Sequence, residues 1–273
     1  MPVDLTGKKI VITGTFRHAK RKDLTAQLKA LGAAVTGSVS SKTMALLAGS
    51  KAGSKINKAH RSGVPVFPEA YLPPLLEGKK SFEELVVLAK TFYSVEWSQD
   101  RDVDPPESLY NQFGAMPPGV DEERWPTSRG ELMRHLFTLD LRSMPALQLR
   151  YPGYRTLSVF AMDGLCMYEL NHRGLGARVL LSTQAQIDAR PRPPEAAQSW
   201  GYRQLLVEPH TWSTSEELFD HPGFGRARVL GPPCWLQAAE DEDGFIMQGG
   251  EEFGIAGDGL LFVFEDRLRT QVS

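Results

Sequence analysis

The sequence predicts two domains of different class: an α/β unit of about 80 residues followed by a larger β-rich α+β unit. Three observations carry this. The chain is 273 residues long, close to two ordinary domains. Up to Gly78, short β-branched runs alternate with stretches of helical spacing, each closed by a glycine. After residue 105 the apolar runs are strand-like and separated by proline-marked loops.

In the first unit, Lys8 to Gly14 reads Lys-Lys-Ile-Val-Ile-Thr-Gly, a short buried strand that enters a loop at the glycine. From Arg21 to Leu31 the residues Leu24, Leu28 and Leu31 recur at helical spacing, and Gly32 stands where a left-handed cap is expected. Ala33 to Val35 and Met44 to Ala48 are two further strands. A second helix is expected from Ser54 to Arg61, ended by Gly63, then a strand from Val64 to Phe67 and a last helical turn or two from Glu69 to Leu76. Pro73 and Pro74 must shorten or kink that last helix. The resulting order is β-α-β-β-α-β-α.

Residues 79–104 are expected to form a linker, because Trp97 to Pro106 is charged and ends in Asp-Pro-Pro, although Phe82 to Leu88 has helical character. Beyond it, over 105–273, strands are expected at Arg155 to Met162, Ala177 to Leu181, Gln204 to Val207, Ala227 to Leu230 and Leu260 to Phe264, with loops at Pro117-Pro118 and Arg190 to Pro194.

Composition narrows the functional classes. The chain is 41% hydrophobic and 23% charged, as expected of a soluble globular protein. No apolar run approaches the roughly 20 residues that span a bilayer, and Met1-Pro2-Val3-Asp4 is not laid out as a secretion signal. A cytoplasmic protein with no membrane partner is expected. Cys166 and Cys234 are read as buried thiols rather than a disulfide framework. The net charge of −2 hides an asymmetry: residues 1–90 hold all twelve lysines and 15 basic against 6 acidic residues, a formal +9. The remainder has 16 arginines against 27 acidic residues, a formal −11. A basic module is the electrostatic footprint of a nucleic-acid partner, and ordinary solvated lysines give the same count.

Several spaced blocks of the first unit carry a family resemblance: Leu5-Thr6-Gly7-Lys8-Lys9 through Thr13-Gly14-Thr15, Ala30-Leu31-Gly32-Ala33, Val35-Thr36-Gly37-Ser38-Val39-Ser40 and Gly53-Ser54-Lys55. Residues 1–78 resemble a BRCT domain of the kind that ends bacterial NAD-dependent DNA ligases. The resemblance implies a four-stranded parallel sheet with flanking helices. It also implies a phosphate site made of Thr13, Gly14 and Lys55: a hydroxyl, a main chain that an anion can approach, and a cation at the start of the second helix. Arg17, Lys20, Arg21, Lys22 and Lys58 would extend that surface over neighbouring nucleic-acid phosphates. The other reading is that Thr13-Gly14 turns the chain and Lys55 is solvated, the unit serving as a protein-contact module. The tryptophan common in the last BRCT helix is absent, with Tyr71 and Leu72 nearby, and no second BRCT unit follows. A lone basic unit favours a DNA phosphate, such as a 5′ end, over a phosphorylated protein.

In the second unit, Gly231-Pro232-Pro233-Cys234-Trp235-Leu236-Gln237, Phe245-Ile246-Met247-Gln248 and Gly257-Asp258-Gly259 before an apolar strand resemble the YwqG-like family of bacterial proteins, with Leu136 to Leu141 similar to its first core strand. That family has no defined activity, and its association with toxin-immunity loci implies a protein-binding role. Trp235 and Gln237 alternate along one strand and stand as a possible ligand groove, or as a packed tryptophan with a satisfied amide. No catalytic set is evident. The six histidines show no metal-type spacing, there is no Cys-x-x-Cys, and the nucleophile-elbow and phosphate-loop motifs are missing. The acidic run Glu240-Asp241-Glu242-Asp243 reads as a solvated loop. The expectation is a non-catalytic binding protein with no cofactor and no metal. The alternative is an immunity or antitoxin-type factor whose acidic second domain engages a basic protein partner or toxin.

Overall fold

The computed structural model describes residues 3–98, 111–162, 177–197, 202–213, 227–233, 245–249, 259–264 and 268–272. They divide into two compact units. One comprises residues 3–92 with 210–213 and 230–233; the other comprises the rest.

The first unit is built on strands β1 (Lys9–Thr13), β2 (Ala34–Thr36), β3 (Ala45–Ala48) and β4 (Val66–Pro68), in the order β2-β1-β3-β4 with every pair parallel. Helices α1 (Arg21–Ala30) and α2 (Lys55–Arg61) make the connections on either side of β2 and β3. Ile10, Val11, Ile12, Leu46 and Leu47 are buried in the strands, while α1 buries Leu24 and Leu28 and α2 buries Ile56 and Ala59. Residues buried on both faces explain why these strands read as continuous apolar runs rather than alternating ones.

Helix α1 ends as its glycine requires. Gly32 has φ +94°, its N–H donates to Lys29 O at 2.9 Å, and the Ala33 N–H donates to Leu28 O at 3.0 Å. This is the paired closure of a left-handed C-terminal cap, and Gly63 ends α2 with the same two bonds. After a single 3-10 turn, Glu69–Tyr71, the short helix α3 (Leu72–Leu76) carries Pro73 and Pro74 in its first turn, where missing N–H groups cost no hydrogen bond. Tyr71 is 2% exposed and lies 5.7 Å from the Phe67 ring, which is 5.4 Å from Phe82. These three buried rings pack together in the core of this unit.

The segment expected as a linker is structured over residues 82–97. Helix α4 (Phe82–Ala89) begins with a full capping box: Ser81 accepts from the Glu84 N–H, and Glu84 accepts from the Ser81 N–H. Strand β5 (Thr91–Trp97) follows, with Phe92, Tyr93 and Val95 buried. Within the first unit, Trp212 donates its backbone N–H to Lys90 O at 3.1 Å. The Lys90 ammonium lies 5.4 Å above the Trp212 ring and His60 of α2 meets that ring edge-on.

The second unit is β-rich. Further strands are β6 (Gln112–Phe113), β7 (Thr127–Ser128), β8 (Glu131–Leu132), β9 (Arg134–Asp140), β10 (Thr156–Ala161), β11 (Ala177–Ser182), β12 (Arg203–Thr211), β13 (Arg228–Val229), β14 (Phe245–Gly249), β15 (Gly259–Phe264) and β16 (Leu268–Val272). Among the described residues one large sheet runs β11-β10-β9-β6-β12-β5-β13-β14-β15-β16, antiparallel at each pair whose register is defined, and β7-β8 form a separate pair. Helices α5 (Pro145–Gln148) and α6 (Gln184–Asp188) are short. Arg228 and Gln248, both wholly buried, stand opposite each other on β13 and β14, with the guanidinium donating to the amide oxygen at 2.7 Å. Arg155, itself buried, forms an ion pair with the partly buried Asp140. No helix among the described residues is long and apolar enough to cross a membrane.

Candidate phosphate-binding site

All four strands of the small sheet run in the same direction, so the loops that leave β1, β2, β3 and β4 gather at one edge, where open parallel sheets bind ligands. The residues singled out from the sequence lie there. Thr13 ends β1, Gly14 opens the loop behind it, and Lys55 opens α2 after the loop that leaves β3.

Hydrogen bonds tie these loops together. Gly49 donates its N–H to Thr13 O at 3.0 Å; Thr15 and Ser50 exchange backbone bonds of 2.7 and 2.9 Å; and the Ser50 hydroxyl donates to Thr15 O at 3.1 Å. The backbones are so close that a Cβ on Gly14 would lie 2.5 Å from Gly49 O, and Gly14 has φ +80°. Glycine is therefore required at position 14 by the loop-to-loop approach itself, a reason independent of any anion.

Thr13 is 5% exposed, and its hydroxyl donates to Ala52 O at 3.0 Å. A hydroxyl has a single proton, so donation to a phosphate requires it to rotate away from Ala52. Lys55 is half-buried and its ammonium donates to Gly37 O at 2.8 Å, joining α2 to the loop behind β2. An ammonium carries three protons, so this bond leaves capacity for an anion.

Arg21, expected only as part of the wider basic surface, reaches back to this edge: its guanidinium donates to Gly14 O at 3.1 Å. The fork retains further donors with the geometry to meet phosphate oxygens. Sequence reasoning missed this placement because the partner is a backbone carbonyl, which carries no residue signature. Arg17, Lys20, Lys22 and Lys58 are exposed. The loop that bears Arg17 is fixed by Glu69, whose carboxylate accepts from the Arg17 and His18 N–H groups at 2.7 and 3.0 Å. Trp235 and Gln237 lie outside the described residues, as do Cys166, Cys234, Asp258 and the acidic run Glu240 to Asp243.

The second unit contains a buried polar chain that the sequence did not reveal. His135 is fully buried on β9, with Nδ1 2.9 Å from Ala115 O and Nε2 2.9 Å from the Thr138 hydroxyl, itself 2.8 Å from the Ser158 hydroxyl. The carbonyl only accepts, so Nδ1 carries the proton and Nε2 accepts from Thr138. Burial pushes the imidazole down to about 4, so it is neutral at physiological pH.

Comparison with known proteins agrees with this architecture. Residues 4–73 match the family described as the BRCA1 C Terminus (BRCT) domain. Over 74 residues, 27% of the chain, the sequence is 49% identical to proteins named DNA ligase from Acinetobacter baumannii strains AYE, SDF and AB0057. The match spans 11% of the length of each of those ligases. On the parallel sheet and on this match, the N-terminal region of the chain is a BRCT domain.

Proposed function

We propose that this chain is a non-catalytic binding protein whose BRCT domain recognises a phosphate on DNA, at a 5′ end. The observation that carries this reading is the convergence of Lys55, Arg21 and the Thr13-Gly14 turn on one edge of the parallel sheet, in loops locked by mutual hydrogen bonds. A preorganised set of cations and main-chain groups is what phosphate recognition requires, and it needs no chemistry beyond binding. The exposed Arg17, Lys20, Lys22 and Lys58 supply contacts to neighbouring backbone phosphates, which add affinity without sequence preference. The formal +9 of residues 1–90 supports nucleic acid as the source of that phosphate.

The acidic remainder of the chain, residues 91–273 with a formal −11, disfavours DNA and, on this reading, engages a protein; its likeness to YwqG-like proteins points the same way. Fluorescence anisotropy of the full chain with short duplexes across a salt series tests the assignment. Affinity is expected to fall linearly in log–log coordinates, with a slope of about −0.9 for each phosphate contacted. Absence of binding at low salt to nicked, blunt and single-stranded DNA would leave the protein-binding function of the BRCT domain in its place.

A further inference from the structure

We infer that Glu69 is a positioning residue of the nucleic-acid surface: its carboxylate holds the loop that presents Arg17 to a backbone phosphate, and it acts through that loop without touching the ligand. The inference rests on the DNA reading above and names an acidic residue outside the set of Thr13, Gly14 and Lys55.

Glu69 follows β4 directly and opens the 3-10 turn, at the edge of the sheet where the loops behind β1 and β3 also lie. Phe67 before it and Tyr71 after it are each 2% exposed, so its backbone is rooted in the core on both sides. From this root one carboxylate oxygen, Oε1, accepts from the N–H groups of two successive residues, Arg17 at 2.7 Å and His18 at 3.0 Å. Hydrogen bonds to an ionised acceptor are the stronger class, and two of them on one oxygen fix consecutive points of the loop. Between Thr15, which is paired with Ser50, and Lys20, which accepts the first bond of α1, these are the bonds that hold the main chain among the described residues.

Glu69 engages the backbone of Arg17 and leaves its side chain alone: Arg17 is exposed, and its guanidinium has no partner among the described residues. A cation on a loose loop loses the freedom of the loop as well as its own on meeting a phosphate, whereas one on a held loop loses only its own. Charge works against any other role. A carboxylate inside a segment of formal +9 repels a nucleic-acid phosphate, so on charge alone its removal strengthens DNA binding. A positioning role predicts the opposite sign.

The test is fluorescence anisotropy of the full chain on one duplex bearing a 5′-phosphate or a 5′-hydroxyl, across a salt series. It compares wild type, Glu69→Ala, Glu69→Gln, Arg17→Ala, Lys55→Ala and the double variant Glu69→Ala/Arg17→Ala. Glu69→Ala is expected to weaken binding to both duplexes by about three- to tenfold and to make the log–log salt slope shallower by about 0.9, the loss of one phosphate contact. Glu69→Gln keeps an oxygen that accepts from both N–H groups and should retain most of the affinity and the slope. In the Arg17→Ala background the Glu69→Ala change should have almost no effect, because the two residues serve one contact. Tighter binding by Glu69→Ala would overturn the inference, leaving Glu69 only its charge. An equal loss with and without the Arg17 side chain would overturn it too, as the mark of a general loss of structure. If Lys55→Ala abolishes a preference for the phosphorylated end while Glu69→Ala leaves affinity and slope unchanged, the phosphate site stands and the role of Glu69 alone fails. Failure of wild type to bind either duplex at low salt overturns both.

Discussion

The Thr13 hydroxyl and the Ala52 carbonyl form a buried hydrogen bond, 3.0 Å long, that joins the end of β1 to the loop leading into α2. The bond fixes the geometry of the site and also occupies the proton that the site would offer to a ligand. Thr13→Val removes the hydroxyl while keeping the shape and leaves Ala52 without this donor, so a destabilisation of about 1–2 kcal/mol is expected. Thr13→Ser should retain most of the stability. Urea denaturation of the three proteins measures this, and a Val variant as stable as wild type would show that the bond contributes nothing net. Because Lys55 and the main chain remain, either change should weaken phosphate binding less than Lys55→Ala.

Gly14→Ala is expected to destabilise the BRCT domain by more than about 2 kcal/mol, since it combines a left-handed backbone with a Cβ driven against Gly49 O. Thermal denaturation followed by circular dichroism is the measurement. A neutral substitution would mean that the two loops separate easily and that the site is not rigid.

The second unit should carry an acid-sensitive element at His135. Its folded value, held at about 4 by burial, lies below the ordinary histidine value, so the unfolded chain binds the proton more readily. The resulting stability is fully present above about pH 6.5 and is lost progressively as pH falls toward 4, by roughly 3 kcal/mol in all. Protonation would also require Nε2 to donate to Thr138, reversing the chain through Ser158. Unfolding free energies between pH 7.5 and 4.5, compared for wild type and His135→Gln, should show a slope in this window that the variant lacks. Identical slopes would place the acid sensitivity elsewhere.

Much of the BRCT domain was legible because its signals are local. The Ile-Val-Ile run of β1, the Leu24 and Leu28 spacing of α1, and Gly32 and Gly63 as helix stops all act within a few residues of their own position. The expected linker over residues 79–104 is a helix and a strand over 82–97 for a physical reason. The charged, proline-ended stretch after Trp97 carries the linker signal, whereas Ser81 and Glu84 stand at capping-box spacing and β5 holds Phe92, Tyr93 and Val95. The candidate site residues were legible by type, but their connections were not. Thr13, Gly14 and Lys55 fall at the expected sheet edge, while their partners Ala52, Gly49 and Gly37 contribute only backbone atoms, which no composition or spacing reveals. The seat of Arg21 on Gly14 and the hold of Glu69 on the Arg17 loop were hidden likewise. The buried pair Arg228 and Gln248 is fixed by strand register across twenty residues, beyond the reach of local patterns.

The most direct test of the central claim is the ratio of affinities of the full chain for one duplex carrying a 5′-phosphate and the same duplex carrying a 5′-hydroxyl, measured for wild type and for Lys55→Ala at a single salt concentration. A charge-assisted contact contributes about 1.5–3 kcal/mol, so wild type should prefer the phosphorylated end by about tenfold or more, and Lys55→Ala should lose most of that preference. Equal losses on both duplexes in Lys55→Ala would contradict the account, reducing Lys55 to one charge among many in a basic surface with no phosphate site at the edge of the sheet.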